Sequence, residues 1–251
     1  MSKQIFSSRE AITFGWKKMK KHFWLYAQVM ILMLLISLLP KLLSIFLYKY
    51  YFWLFVLFVI EIWILALLIK IGLIRLNLKI VRGEEAEFKE VFLSANRLVK
   101  YFLGKVLYLL VILAGLIPLI IFAVVWPPVY NGIVSFLTNI GLPGIFIGII
   151  YSLVAVSGGL LAVMPIIYWG LKYYFIEFYI ADKGLEPVAA FRQSARATEN
   201  VKWQLLLFTI LMQLINLAGF IALGVGLFFT VPATMLAMAF VYQKLDQNNH
   251  A

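Results

Sequence analysis

The stretch Asp182-Lys183-Gly184-Leu185-Glu186-Pro187, read on to Trp203, decides how the rest of the chain is understood. Gly184 breaks one helix. Pro187 restarts another at its first turn, where a missing N–H costs nothing. Arg192, Arg196 and Glu199 then fall on one helical face, and Val188, Phe191 and Ala195 on another. This predicts an amphipathic helix lying on a membrane surface. It feeds an apolar hairpin that ends near Tyr242.

The composition agrees with a membrane setting. Of 251 residues, 64% are hydrophobic and 13% charged, whereas a soluble domain is about half apolar and a quarter charged. The apolar residues come in runs of about 20, the length that crosses about 30 Å of hydrocarbon. The predicted class is therefore an all-α integral membrane protein, a single polytopic domain over 1–251. No room is left for a soluble domain. Cysteine is absent, so disulfides and thiolate metal sites are excluded. The start, Met1 to Phe6, lacks a basic segment, apolar core and cleavage site, so no cleaved signal peptide is expected. The net charge of +11 does not point to nucleic acid, because the basic residues flank apolar spans, as topology and anionic lipid require.

Working along the chain, Ser7 and Glu10 fit a capping box that opens a first interfacial helix. Its stripe is Ile12, Trp16, Met19 and Phe23, with Lys17, Lys20 and Lys21 facing elsewhere. A first span follows from about Phe23 to Leu39 and stops at Pro40. The segment from Pro40 to Tyr51 reads as a connection. The second span, Phe52 to Val81, is about 30 residues or roughly 45 Å long, and Arg82-Gly83 ends it. Glu84 to Tyr101 reads as a second amphipathic stretch, with Phe88, Phe92, Ala95 and Val99 on its apolar face. A third span from about Phe102 to Val125 is broken by Trp126-Pro127-Pro128, leaving an uncharged loop to Pro143. The fourth apolar region, Gly144 to Ile180, exceeds one span, with Ser157-Gly158-Gly159 and Pro165 as expected kinks. The fifth span runs from about Trp203 to Ile221, and the sixth from the Gly224-Val225-Gly226 turn to about Tyr242.

Six spans put both termini on one side. Of the 22 Lys and Arg, 20 fall with the termini and the connections on that side, leaving Lys41 and Lys49 opposite. The positive-inside rule makes the basic side cytoplasmic. An internal repeat also shows. Ala11, Gly15, Lys17 and Trp24 match Ala190, Ser194, Arg196 and Trp203 at one offset of 179. Ser94-Ala95 aligns with Ser194-Ala195 as a weaker middle copy. The suggested units are 7–81, 84–181 and 184–243, each a cytoplasmic amphipathic helix followed by a pair of spans.

Chemistry is defined mostly by what is missing. The two histidines, His22 and His250, and the two aspartates, Asp182 and Asp246, lie outside the apolar runs. This rules out a metalloprotease helix, an intramembrane aspartate pair and a serine–histidine constellation in the bilayer. Ser157 beside Gly158-Gly159 reads as a small residue at a helix crossing rather than a nucleophile. Metal, cofactor and catalytic residues are all expected to be none. Glu61 is the one ionisable residue deep in a span, which makes it a functional candidate by default. Thr209, Gln213 and Asn216, at i, i+4 and i+7, offer it a polar partner face. A Lys70–Glu177 pair near the cytoplasmic ends of long helices fits ordinary snorkelling. The tryptophans suit interfacial belts better than a ligand cage. Lys17, Lys18, Lys20 and Lys21, with Arg192, Arg196 and Lys202, are the candidate contacts to anionic phospholipid headgroups.

Tyr179-Ile180-Ala181-Asp182-Lys183-Gly184, Ala190-Phe191-Arg192-Gln193-Ser194, Gly224-Val225-Gly226 and Pro232 carry a family likeness, as do Glu10-Ala11, Phe14-Gly15-Trp16 and Lys21-His22-Phe23-Trp24. The chain resembles the six-span bacterial membrane proteins related to YciC and to the membrane domain of some glycerophosphoryl diester phosphodiesterases. The resemblance implies an inner-membrane protein with no catalytic residues to carry over, since the phosphodiesterase is a separate soluble domain. The expected role is non-enzymatic: organising the cytoplasmic leaflet, or binding a membrane or cytoplasmic protein there. The alternative is a small transporter or permease component that uses Glu61 and the Thr209/Gln213/Asn216 face.

Overall fold

The structure is a computed structural model. It describes residues 6–249 apart from Leu93 and Leu223, and the backbone but not the side chains of 39, 40 and 43–50. Lys3 and His250, and the side chain of Lys49, lie outside the described residues. The described chain forms α1 (Ser8–Lys21), α2 (Phe23–Tyr50), α3 (Phe52–Arg82), α4 (Leu98–Asn139), α5 (Gly144–Lys172), α6 (Ile176–Lys183), α7 (Pro187–Thr198), α8 (Lys202–Ile221) and α9 (Leu227–Asn248). Among the described residues five helices are long and apolar enough to cross a membrane. The number rises to six if the bent pair Ser8–Lys21 and Phe23–Leu38 counts as one span. That pair turns through 88° at His22, where the sequence predicts a change from interfacial to spanning helix.

Local chemistry explains the caps. Ser7 Oγ accepts the Glu10 N–H at 3.4 Å, which satisfies one of the orphan donors of α1. The other half of the expected box is not closed. The Glu10 carboxylate instead approaches Lys244 of α9 at 3.8 Å. Gly83 and Gly184 take left-handed conformations, φ 79° and 66°, and end α3 and α6. Pro187 opens α7 as predicted.

Proline fails as a terminator elsewhere. The expectation that the first span stops at Pro40 is corrected: α2 runs through it to Tyr50, and the break falls at Tyr51. The expected loop from Trp126 to Pro143 is corrected too. α4 continues through Pro118, Pro127 and Pro128 to Asn139, and the turn to α5 is only 140–143. α5 passes Ser157-Gly158-Gly159 and Pro165, and the interruption comes at Tyr173–Phe175 instead. In hydrocarbon a broken helix strands several backbone groups, whereas a proline removes only one hydrogen bond, so the helix survives. Glu84–Tyr101 is the last correction. It forms two 3-10 turns, Phe88–Phe92 and Ala95–Arg97, before α4 starts. It buries Val91 and Ser94, while Phe92, Ala95 and Val99 of the expected apolar face are exposed.

The described chain divides into two compact units, Met1–Lys105 with Tyr174–Ala251, and Val106–Tyr173. These boundaries do not follow the three suggested repeat units. The first unit has a packed core in which Met19, Tyr26, Val29, Ile69, Leu73, Leu76, Ile80, Val91, Ala233 and Leu236 come together. α1 lies on α9 through its small residues. Gly15 sits directly against the Ala233 carbonyl and Ala237, and Ala11 and Met19 are buried beside it. The stripe read from sequence is therefore only partly inward, since Met19 is buried but Trp16 is exposed. α7 behaves alike, burying Ala190, Ser194, Ala197 and Thr198 while Val188 stays exposed. Close helix approach in a membrane selects small residues, because lipid accommodates the large ones equally well.

Two connections are built alike. α3 and α6 each end on a left-handed glycine, and a fully buried serine follows each. Ser94 Oγ accepts from Arg75 at 3.2 Å, and Ser194 Oγ accepts the Phe175 N–H at 3.1 Å, each reaching a residue 19 positions back. The residues matched at the 179 offset also share environments. Ala11 and Gly15, like Ala190 and Ser194, are buried, and Trp24 and Trp203 are 79% and 72% exposed.

The second unit is held differently. Phe122 lies against Gly158, and Trp169 and Ile166 against Gly115. Trp126 stacks between Phe122 and Tyr151, with ring centroids 5.7 and 5.9 Å away. An apolar groove of about 540 Å³ opens beside Phe122, Trp126 and Leu161.

Candidate functional site

The densest polar arrangement among the described residues lies in the first unit, where α3, α6 and α9 meet. The C-terminal half of α3 buries most of its residues from Leu67 to Ile80, and it carries the half-buried Arg75 and Lys79 and the exposed Arg82 at i, i+4 and i+7, one face of the helix. Cations there need partners. Arg82 Nη2 donates to both oxygens of Asp182, at 2.8 and 2.7 Å, and the Asp182 side chain is only 8% exposed. Tyr242 donates its hydroxyl to the same carboxylate at 3.1 Å. Lys79 pairs with Glu90 at 2.8 Å, and Arg75 donates to Ser94.

Backbone carbonyls around Gly184 take the remaining donors. Arg97 donates to the carbonyls of Ala181 and Asp182, the latter at 2.8 Å. Lys100 reaches the Gly184 carbonyl at 3.2 Å and the Glu186 carboxylate at 2.7 Å. This gives the opening stretch of the sequence its physical meaning. The C-terminal carbonyls of α6 are satisfied by cations, which a helix C-terminus favours. Lys183 and Asp246 close the cluster toward α9 at 2.6 Å. Lys70 and Glu177, which the sequence allows but does not specify as a pair, meet at 3.1 Å, and Tyr101 and Lys105 also reach Glu177.

Between these groups lies a cavity of about 210 Å³, lined by Arg75, Leu78, Lys79, Arg82, Glu84 and Asp182. Sequence reading ended the helix at Arg82-Gly83 but found neither the cavity nor the Asp182 network. The partners are 100 residues apart, and no local spacing encodes that.

The residues singled out from sequence are distributed rather than gathered. Lys17, Lys20, Lys21, Arg192 and Arg196 are exposed. Lys18 lies over the Phe14 ring at 5.6 Å, and Lys202 donates to the Glu199 carbonyl at 3.3 Å. Burial, then Lys21 and Lys18, hold the His22 imidazole below its ordinary value, so it adds no charge to this basic end at neutral pH. Glu61 is exposed on α3. No hydrogen bond joins it to Thr209, Gln213 or Asn216 among the described residues. Thr209 donates to its own helix at Leu205, Gln213 is exposed, and Asn216 pairs with Thr234 of α9 at 3.3 Å. Ser157 likewise donates to Val154 of its own helix.

Among the described residues no group of three or more His, Asp or Glu could hold a metal ion. What the fold and this cluster define is a multi-helix chain suited to a membrane, with a tight ionic cluster at one end of its packed unit. No family model, curated protein or solved structure matches the chain.

Proposed function

We propose that the chain is a non-enzymatic inner-membrane protein of the YciC-like kind, with both termini cytoplasmic. Its role is to organise anionic lipid, and through it protein partners, at the cytoplasmic leaflet. The observation that carries this reading is how α1 and α7 divide their faces. Small residues fix each helix to the protein, and Lys17, Lys20, Lys21, Arg192 and Arg196 stay exposed beside Trp16, Trp24 and Trp203. Cations next to exposed tryptophans suit the headgroup level. Each basic side chain there contributes about 1 kcal/mol toward anionic lipid, screened over about 10 Å at 0.1 M salt. The similar glycine-to-serine connections after α3 and α6 support descent from a repeated helix-plus-hairpin unit. The transporter reading ranks second, because Glu61 and the Asn216 face have separate surroundings.

Two measurements test the proposal. Hydrogen exchange of Ser8–Lys21 in nanodiscs should slow severalfold when anionic lipid replaces neutral lipid at low salt. Replacing Lys17, Lys18, Lys20 and Lys21 by Gln should remove that difference. Equal exchange in both lipids would reject the lipid role. The cysteine-free sequence makes topology readable: Leu142→Cys should label in intact cells with an impermeant maleimide, and Asn249→Cys should not. The reverse pattern would invert the orientation.

A further inference from the structure

We propose that the chain holds two discrete, structurally equivalent sites for an anionic diacyl phospholipid, one where α1 turns into α2 and one where α7 turns into α8. Each pairs a cation with an exposed tryptophan seven residues on: Lys17 with Trp24, and Arg196 with Trp203. The assignment rests on the reading that α1 and α7 lie at headgroup level. It adds to that reading a fixed number of lipids and a fixed place for each.

Burial carries the equivalence. At the offset that aligns Ala11 with Ala190 and Gly15 with Ser194, Met19 aligns with Thr198, Tyr26 with Leu205 and Val29 with Phe208, and all six of these are buried. The breaks coincide too. α2 starts at Phe23 and α8 at Lys202, directly after His22 and Val201, which stand at the same offset. With the inward face and the corner shared, the outward residues fall in equivalent places. Lys17 and Arg196 are both exposed, and neither side chain has a hydrogen-bond or ion-pair partner among the described residues. Trp24 and Trp203 are each the second residue of their helix.

These residue types suit one ligand. A cation on the surface helix attracts the phosphate, worth about fivefold in affinity. An indole at the start of a span is apolar along its ring and donates through its N–H, which matches the ester level of a diacyl lipid. Inorganic phosphate offers only the first contact. The middle copy supplies a contrast. Aligning Ser94 with Ser194 puts Asn96 and Leu103 where Arg196 and Trp203 stand. Both are exposed, but neither is a cation or an indole, so two sites form and not three. The two sites also differ in strength. Glu199 and Asn200 take the places of Lys20 and Lys21, which makes the second corner the weaker.

The test uses the purified full-length protein in a neutral detergent. Native mass spectrometry counts the bound lipid, and a photoactivatable phosphatidylglycerol locates it. Two phosphatidylglycerols per chain are expected at saturation, cross-linked within 17–24 and 196–203 but not within 96–103. Lys17→Gln should weaken the first site about fivefold and leave the second unchanged, and Arg196→Gln should do the reverse. Trp24→Leu should weaken the first site severalfold. Glu199→Lys, of opposite sign, should tighten the second severalfold, which keeps the proposal testable should another variant not fold. Cross-linking spread evenly over the three segments, or single substitutions that weaken both sites alike, would refute the sites and leave the surface role of the basic helices standing. Displacement of the lipid by inorganic phosphate at matched ionic strength would likewise refute them in favour of a soluble anion. Equal binding of phosphatidylglycerol and phosphatidylcholine would reject the sites and the surface role together.

Discussion

The two compact units are both rich in apolar residues but differ in how they are held. In the unit formed by Met1–Lys105 and Tyr174–Ala251, Tyr26, Tyr101, Tyr179, Tyr242, Phe175 and Phe208 are fully buried and ion pairs close the polar end. In Val106–Tyr173 only Lys172 is charged, and Gly115, Ile147, Ala162 and Leu171 are its buried residues. The first unit specifies its own interior. The second leaves its large side chains outward, where hydrocarbon solvates them as well as protein would. Apolarity alone therefore does not distinguish a residue that packs on protein from one that packs on lipid.

Glycine substitutions should break this comparison most sharply. A side chain at Gly72 would collide with the Val91 backbone, whereas nothing lies within 4 Å of a Cβ at Gly148. Gly72→Leu should cost about 3 kcal/mol, and Gly148→Leu less than about 1 kcal/mol. Thermal unfolding in detergent checks both, and equal costs would mean that the two units are packed alike. A smaller contrast concerns ions. Asp182→Ala removes the acceptor of the Arg82 guanidinium and of the buried Tyr242 hydroxyl and should cost about 2 kcal/mol, while Ser157→Ala in the second unit removes a bond internal to one helix and should change little. The finest contrast is one oxygen against one nitrogen. Tyr26 donates a buried hydrogen bond to Asn77, which is itself 4% exposed, so Tyr26→Phe should cost about 1 kcal/mol. The Trp126 indole nitrogen has no partner among the described residues, and Trp126→Phe should be close to neutral. A larger effect at Trp126 than at Tyr26 would show that the second unit hides a polar contact.

Much of the helical plan was legible. Gly83, Gly184 and Pro187 end and start helices where local rules place them. The turn of the chain at His22 was legible too. Pro40, Pro127 and Pro128 misled because their usual meaning assumes water as the alternative partner for a freed carbonyl. The stripe with Ile12 and Trp16 was read as the face of an interfacial helix, and the contact with α9 went unread. Ala11 and Gly15, which make the contact, carry too little hydrophobicity to show as a stripe. Of the ionic cluster, Arg82 was readable at the end of its helix, but its pairing with Asp182 was not, since the two lie 100 residues apart.

The seat of α1 on α9 has a consequence in time. α1 leaves the ribosome well before α9, the helix on which it docks. At about 5–20 residues per second, the roughly 200 residues between Lys21 and Leu227 take on the order of tens of seconds to synthesise. Throughout that interval Ala11 and Gly15 face no partner surface on α9, and the packed unit cannot close around them. A ribosome that stalls after α5 leaves a chain with several apolar helices already made and its clasp still missing. For this protein, then, the pace of translation sets how long the nascent chain is exposed to misassembly and quality control, however stable the finished fold becomes.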